Sequence, residues 1–145
     1  MTTVTVEATI AADPDAVFRA VSEIERFPEV NPATQSVEFL TDQHVGAGTR
    51  FREVRVMSGQ EAAFDLEVAD YDREARTIRF VNETHGTLWD TTVTVSSEGA
   101  GARARFAMDC IGSTRVKRVM NWLMSGMFRR AMKQQVDSLK DYCEA

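Results

Sequence analysis

The strongest constraint on this chain is the pattern of residues 115–143, which predicts one long amphipathic helix. Apolar side chains recur there at spacings of three and four residues, and charged side chains fall mostly between them. The stripe consists of Val116, Val119, Met120, Leu123, Met124, Met127, Phe128, Ala131, Gln135, Val136, Leu139 and Tyr142. Because methionine is unbranched and polarizable, a face rich in it adapts to apolar shapes of many kinds. The pattern predicts that this face is buried, as ordinary core or against another apolar partner.

Length and charge restrict the classes of partner. At 145 residues the chain has the size of one domain, so we expect residues 1–145 to form a single domain that needs neither a disulfide nor a metal to fold. Seventeen Lys and Arg against 22 Asp and Glu, with both signs mixed, argue against nucleic acid and anionic membranes as partners. Cys110 and Cys143 have no metal-site spacing and are expected to be reduced thiols. No metal site and no cofactor is predicted.

The sequence also bears on localisation. Residues 1–10 contain neither the basic start nor the apolar stretch of a secretory signal, and no run of eighteen apolar residues occurs. We therefore expect a soluble, cytoplasmic protein without integral membrane association. The oligomeric state cannot be read from the sequence, and a homodimer remains open.

Residues 3–32 predict a strand followed by two short helices. Apolar and polar residues alternate across residues 3–10, as in a half-buried strand. Asp13-Pro14-Asp15 then supplies an N-cap, a proline at the first helical position and an acid in the first turn. We expect the helix to break at Phe27-Pro28 and again at Asn31-Pro32, because proline disfavours the helical conformation in the residue before it.

The middle of the chain, from residue 35 to residue 111, has the pattern of strands separated by turns. Strands are predicted at 35–41, 48–57, 62–71, 76–83, 87–96 and 102–111. Their links are short, which favours sequential antiparallel hairpins. With the first strand they make seven, and a sheet of that width should curve around the C-terminal helix, because one helix cannot cover it flat. The wedge between sheet and helix must be filled by large side chains or by a ligand.

This order of elements resembles the START-type SRPBCC superfamily, particularly its polyketide cyclase/dehydrase-like members. The resemblance spans essentially the whole chain and rests on residues 12–32 (ADPDAVFRAVSEIERFPEVNP), on residues 48–53 (GTRFRE) and on Gly86 with Trp89. It implies an α+β helix-grip fold, in which a curved seven-stranded antiparallel sheet wraps around a long C-terminal helix and encloses a hydrophobic cavity. Members include lipid carriers, hormone receptors, ring hydroxylase subunits and aromatases, so that membership alone does not settle the function.

The candidate ligand-binding residues are those expected on the inner face of the sheet and on the facing stripe of the helix. Those from the strands are Phe51, Phe64, Leu66, Phe80, Asn82, Trp89, Thr91, Phe106 and Met108. Those from the helix are Met120, Met124, Met127 and Phe128. Asn82 and Thr91 would supply polar groups inside an apolar cavity or lie at its rim.

The third strand brings charge to the inner face in either register. If Phe51 points inward, Glu53 and Arg55 do as well, whereas the opposite register turns Arg50 and Arg52 inward. An ion pair between Glu53 and Arg55 would relieve part of the desolvation penalty. These two are the candidate catalytic residues, as acid/base and oxyanion partner. The alternative is a partly solvated pair at the exposed end of the sheet.

Other tempting residues have ordinary structural interpretations. His44 and His85 lie in turns without a neighbouring nucleophile, and both are expected to be solvated. Trp122 falls outside the main stripe and is expected to mark a surface contact. Gly126 permits a bend in the helix or a close backbone approach, and the pattern does not distinguish them.

The sequence alone is therefore compatible with three functional hypotheses. The preferred hypothesis is a protein that binds a hydrophobic small molecule, such as a lipid, a polyketide or an aromatic metabolite, between sheet and helix. The second is a cofactor-independent cyclase or dehydratase of the polyketide type that uses Glu53 and Arg55. The third is a packed domain whose exposed apolar patches mediate self-association or partner docking.

Overall fold

The computed structural model describes all residues from Met1 to Ala145 and consists of one curved antiparallel sheet with four helices. The strands are β1 Thr2–Ile10, β2 Thr34–Phe39, β3 Arg50–Met57, β4 Gln60–Asp72, β5 Thr77–Thr84, β6 Thr87–Glu98 and β7 Gly101–Gly112. The helices are α1 Pro14–Ser22, α2 Phe27–Val30, α3 Arg115–Leu123 and α4 Ser125–Glu144, with a 3-10 turn at Ile24–Arg26. The strand order β1-β7-β6-β5-β4-β3-β2 makes the first strand pair with the last. The predicted helix-grip class is confirmed.

All seven predicted strands are present, with ends displaced by two residues at most. A two-residue turn joins β5 to β6, where His85 and Gly86 both have positive φ, at 52° and 77°. Two such residues make the type of hairpin turn whose twist matches that of the flanking strands. Both histidines, His85 in this turn and His44 in the loop after β2, are exposed as expected, and His44 stacks on Phe39.

The first helix begins as predicted, because the Asp13 carboxylate accepts a hydrogen bond of 2.8 Å from the Asp15 N–H. The predicted break at Phe27-Pro28 is wrong. The chain leaves the helical conformation earlier, at Glu23, and Phe27-Pro28 instead begins α2. A proline is tolerated in the first helical turn, where its missing N–H would have no partner. The second break is confirmed, since Asn31 is extended.

The core lies between the inner face of the sheet and helices α1 and α4. Its buried apolar side chains include Val4, Ile10, Val17, Phe18, Val21, Phe51, Val68, Ile78, Val93, Val95, Phe106, Met132, Val136 and Leu139. Helix α4 runs along β1, where Arg129 and Lys140 donate hydrogen bonds to the Thr5 and Thr9 carbonyl oxygens. Helix α1 packs on β6 and β7. The helices therefore cover the β1–β7 side of the sheet most heavily.

The C-terminal helical region is present, but it is interrupted at Met124, close to Gly126. The expectation that the whole apolar stripe is buried is wrong. Met132, Val136 and Leu139 in α4 are buried. The earlier stripe residues Val116, Val119, Met120, Leu123, Met124 and Met127 are exposed. Periodicity identifies an apolar face but not the surface toward which that face turns, and the interruption at Met124 separates the two halves of the stripe.

Candidate functional site

The structure settles which residues of β3 face the helices. Phe51 is fully buried and pairs with Leu66, and Glu53 pairs with Phe64 on the same face. Arg52 points to the opposite face, where its guanidinium binds the Asp65 carboxylate at 2.7 Å. The register that places Glu53 and Arg55 on the inner face is therefore the one adopted.

Glu53 and Arg55 form an ion pair on this face, with 2.9 Å between Glu53 Oε1 and Arg55 Nη2. The second carboxylate oxygen, Oε2, accepts a hydrogen bond of 2.8 Å from the Thr34 hydroxyl. The Glu53 side chain is only 3% exposed, whereas that of Arg55 is 28% exposed. The pair is therefore partly solvated, as in the alternative interpretation, but only through the guanidinium, since the carboxylate is buried.

The Arg55 guanidinium is incompletely satisfied. Its Nε is buried and has no hydrogen-bond partner. A buried donor without an acceptor is unfavourable and is rare in folded proteins. The inner face thus presents a cation that is held at one nitrogen by Glu53 and has hydrogen-bonding capacity left over.

Aromatic rings bound the inner face on two sides. Phe27, Phe51 and Phe80 contact one another edge to face, with ring centroids 5.9 to 6.1 Å apart. On the other side, Trp89 of β6 meets Phe128 of α4 edge to face at 4.9 Å. The second contact joins the sheet directly to the helix region.

The strand residues between these clusters are incompletely covered. Phe64, Leu66, Asn82, Thr91 and Met108 all lie on the inner face, yet each is only half-buried. Side chains on that face of a fully packed sheet would be close to fully buried. The inner face of β4 to β7 is therefore less completely covered than the core around Phe51 and Phe106.

The sequence-predicted ligand residues separate into three groups. All nine strand residues lie on the inner face, and two of them, Phe51 and Phe106, are buried in the core. Phe128 joins them through its contact with Trp89. Met120, Met124 and Met127 are exposed, so the sheet does not cover them.

Sequence reasoning missed Thr34 and Phe27. Thr34 reaches Glu53 because β2 pairs with β3, a contact between residues nineteen positions apart that no local pattern reveals. Phe27 packs on Phe51 because α2 starts at that residue instead of ending before it. A correct placement of Pro28 in the first turn of a helix would have pointed to Phe27.

Two surface grooves are also present, and charged side chains contribute to the lining of both. A groove of about 560 Å³ lies beside Glu144, which accepts hydrogen bonds from the Ala11 N–H and from Lys140. These two contacts hold the pKa of Glu144 below its ordinary value. A second groove of about 400 Å³ is lined by Arg50 and Asp65 of the outer face and also by Leu66 and Asn82 of the inner face. Neither groove is lined mainly by large apolar side chains, as a site for a hydrophobic ligand would be.

Both cysteines are free, and burial raises the pKa of each thiol, that of Cys110 to about 11. Since the thiolate is the reactive form, we expect Cys110 to resist iodoacetamide at neutral pH in the folded protein and to react only after unfolding. In the Cys143→Ser variant, Cys110 is the single cysteine, so mass spectrometry of this variant measures the labelling of Cys110 directly. Fast labelling of the folded variant would mean that the strand around Cys110 opens.

No group of three or more His, Cys, Asp or Glu side chains is arranged to hold a metal ion. None of the helices combines the length and apolar character that crossing a bilayer requires.

Several solved structures have the same fold. The structure of TTHA0849 from Thermus thermophilus superposes with a TM-score of 0.79 and 21% identity, covering 98% of this chain and 97% of that one. A START superfamily protein from Mycobacterium smegmatis gives a TM-score of 0.77 and 17% identity, covering 98% of this chain and 97% of that one. The di-domain ARO/CYC BexL from the BE-7585A biosynthetic pathway gives 0.79 and 20%, and this chain covers 46% of its length. No curated protein sequence matches the chain.

The sequence also matches the model of a protein family over almost its whole length. The model of the family described as polyketide cyclase / dehydrase and lipid transport matches residues 1–144. It covers the sheet, the split N-terminal helices and both C-terminal helices. The chain therefore belongs to the polyketide cyclase / dehydrase and lipid transport family.

Proposed function

We propose that residues 1–145 act as one domain that binds a hydrophobic small molecule with an oxygen-bearing polar end, of the lipid, polyketide or aromatic metabolite class. The observation that carries this proposal is the half-buried apolar inner face of β4 to β6, flanked by the incompletely satisfied Arg55. The family description and the solved cyclase with the same fold support it. Phe64, Leu66, Trp89 and Met108 would contact the apolar body of the ligand.

The separation between Arg55 and Trp89 on the inner face suits an elongated ligand. Arg55 lies on β3 and Trp89 on β6, three strands apart. At about 4.8 Å per strand, this separation is about 14 Å across the sheet, and Trp89 is also level with Phe51, four residues from Arg55 along β3. A ligand that reaches both residues would therefore be elongated, as a medium-length acyl chain is. Its apolar surface would contribute roughly 25 cal/mol per Å² buried, less the entropy lost on binding.

The polar end of the ligand would meet Arg55. Over a quarter of this side chain is exposed, and its Nε has no partner. A carbonyl or carboxylate oxygen would accept hydrogen bonds from the guanidinium, and such charge-assisted bonds are roughly twice as strong as neutral ones. Glu53 would hold the guanidinium in place, because both of its oxygens are already engaged.

A second candidate function is a cofactor-independent cyclase or dehydratase. It is favoured by one observation, the buried carboxylate of Glu53 beside a cation on the inner face. In that case Arg55 would stabilise a developing oxyanion and Glu53 would exchange a proton with the substrate. The carboxylate would first have to exchange its Thr34 hydrogen bond for one to the substrate.

The binding proposal is tested by comparing two arginines of the same strand. We expect Arg55→Met to weaken the binding of dodecanoate about tenfold while leaving dodecanol unchanged, because only the carboxylate uses the guanidinium fully. Arg52→Met is the matched control, since Arg52 lies on the outer face. Fluorescence displacement of a naphthalene probe gives both affinities. Equal effects of the two variants, or no binding of either ligand, would refute the proposal.

The native ligand class is tested separately by native mass spectrometry of protein purified gently from its host. We expect a co-purifying organic molecule that is depleted in a Trp89→Ala variant. A Trp122→Ala variant should retain it, because Trp122 is exposed on α3.

A further inference from the structure

Helix α3 turns its polar side toward the protein. Asn121 is buried, and its side-chain amide donates a hydrogen bond of 3.4 Å to the Thr87 hydroxyl. On the same side of the helix, the Lys117 ammonium group donates to the His85 carbonyl oxygen. This is the reverse of the usual arrangement, in which a surface helix buries its apolar side.

The apolar side of α3 consequently faces outward. We call the exposed side chains Val116, Val119, Met120, Trp122, Leu123 and Met127 the α3 surface. Val116, Trp122 and Leu123 are the most exposed of these, at 68% to 69% of their full area. An exposed apolar patch of this extent on a folded protein marks a site of interaction with a partner or a membrane.

The segment that carries this surface has charged residues of one sign only. The segment between Asp109 and Asp137 contains six of the seventeen Lys and Arg residues and none of the 22 Asp and Glu residues. These cations are Arg115, Lys117, Arg118, Arg129, Arg130 and Lys133. Only Lys133 forms a salt bridge, with Asp137. The net charge of −5 thus conceals a strongly cationic segment, and the expectation that mixed signs exclude anionic membranes does not hold for this part of the chain.

We propose that the α3 surface docks onto a lipid bilayer that contains anionic lipids. Apolar side chains next to cations, with a tryptophan among them, are typical of helices that lie in the membrane interface. The apolar residues would enter the boundary between headgroups and acyl chains, while the exposed cations, which exclude the inward-turned Lys117, meet the anionic headgroups. The association is peripheral, and it does not depend on whether a ligand binds on the inner face.

Charge also argues against a second copy of the chain as the occupant. A symmetric dimer through the α3 surface would place two segments of six cations each against one another. Like charges brought together at an interface are unfavourable. An anionic surface instead gains from the same cations.

The test is flotation with vesicles of phosphatidylcholine, alone or with about 30% phosphatidylserine. We expect binding to the mixed vesicles only, loss of binding in about 0.5 M salt, and a blue shift of the tryptophan emission that is absent in Trp122→Phe. Leu123→Glu should lower the bound fraction at least about tenfold. Val45→Glu is the matched control, because Val45 is an exposed apolar residue in the loop after β2.

A second pair of variants tests the contribution of the cations to vesicle binding. Arg130→Glu should weaken vesicle binding, while Arg73→Glu in the β4–β5 turn should not, because Arg73 lies outside the cationic segment. The two are matched because both arginines are exposed. Equal binding to both vesicle types, or unchanged binding of Leu123→Glu, would overturn the proposal. So would a wild-type dimer in analytical ultracentrifugation that Leu123→Glu converts to a monomer, because the occupant would then be a second copy.

Discussion

The Phe51→Ala variant is expected to lose about 4 kcal/mol of unfolding free energy, within the usual range for truncation of a buried phenylalanine. Phe51 has no exposed surface, and its ring contacts those of Phe27 and Phe80. The truncation leaves a cavity between α2 and the sheet that the surrounding backbone cannot close. Urea denaturation followed by circular dichroism measures the loss.

The stability loss of a Phe64→Ala variant, compared with that of Phe51→Ala, shows whether the inner face is packed equally at both positions. Phe64 lies on the same inner face, next to Glu53 in the pairing of β3 and β4, but it is half-buried. We expect it to lose no more than about 2 kcal/mol, because truncation there removes fewer contacts. Equal losses at the two positions would mean that the inner face is packed throughout, and the proposed ligand space would be absent.

The fold could be predicted largely from local patterns. Turn residues such as His85-Gly86 delimit the strands, and the alternation within each strand identifies its apolar face. The N-cap at Asp13 likewise acts within a single turn of chain. These features depend on neighbouring residues alone, so a single sequence contains the information that determines them.

The site could be predicted only in part, because its geometry depends on distant partners. Both registers of β3 bring charge inward, and only the pairing with β2 and β4 decides in favour of Glu53 and Arg55. The hydrogen bond from Thr34 depends on the same pairing. The orientation of α3 was missed for a related reason, since the polar contact of Asn121 with Thr87 joins residues 34 positions apart.

Glu53→Ala is expected to destabilise the protein by about 3 kcal/mol, because it leaves the Arg55 guanidinium and the Thr34 hydroxyl without their acceptor. This value lies at the low end for a broken buried ion pair, since Arg55 is partly exposed. Asp65→Ala is the control, as it breaks the solvated pair with Arg52 on the opposite face and should have little effect. Comparable losses in the two variants would show that the Glu53 carboxylate is solvated.

The Glu53→Gln variant separates binding from catalysis at the same position. The amide preserves the shape of the side chain and an acceptor for the Thr34 hydroxyl, but it removes the negative charge and the ability to exchange a proton. If the protein only binds its ligand, the affinity for dodecanoate should remain or rise, because Arg55 loses its competing anion. If it is a cyclase or dehydratase of the polyketide type, turnover should fall at least about a hundredfold while substrate affinity persists, as expected for loss of an acid/base group. Unchanged turnover by a measurably active wild-type protein would exclude Glu53 from the chemical step and leave it the role of holding Arg55 in place.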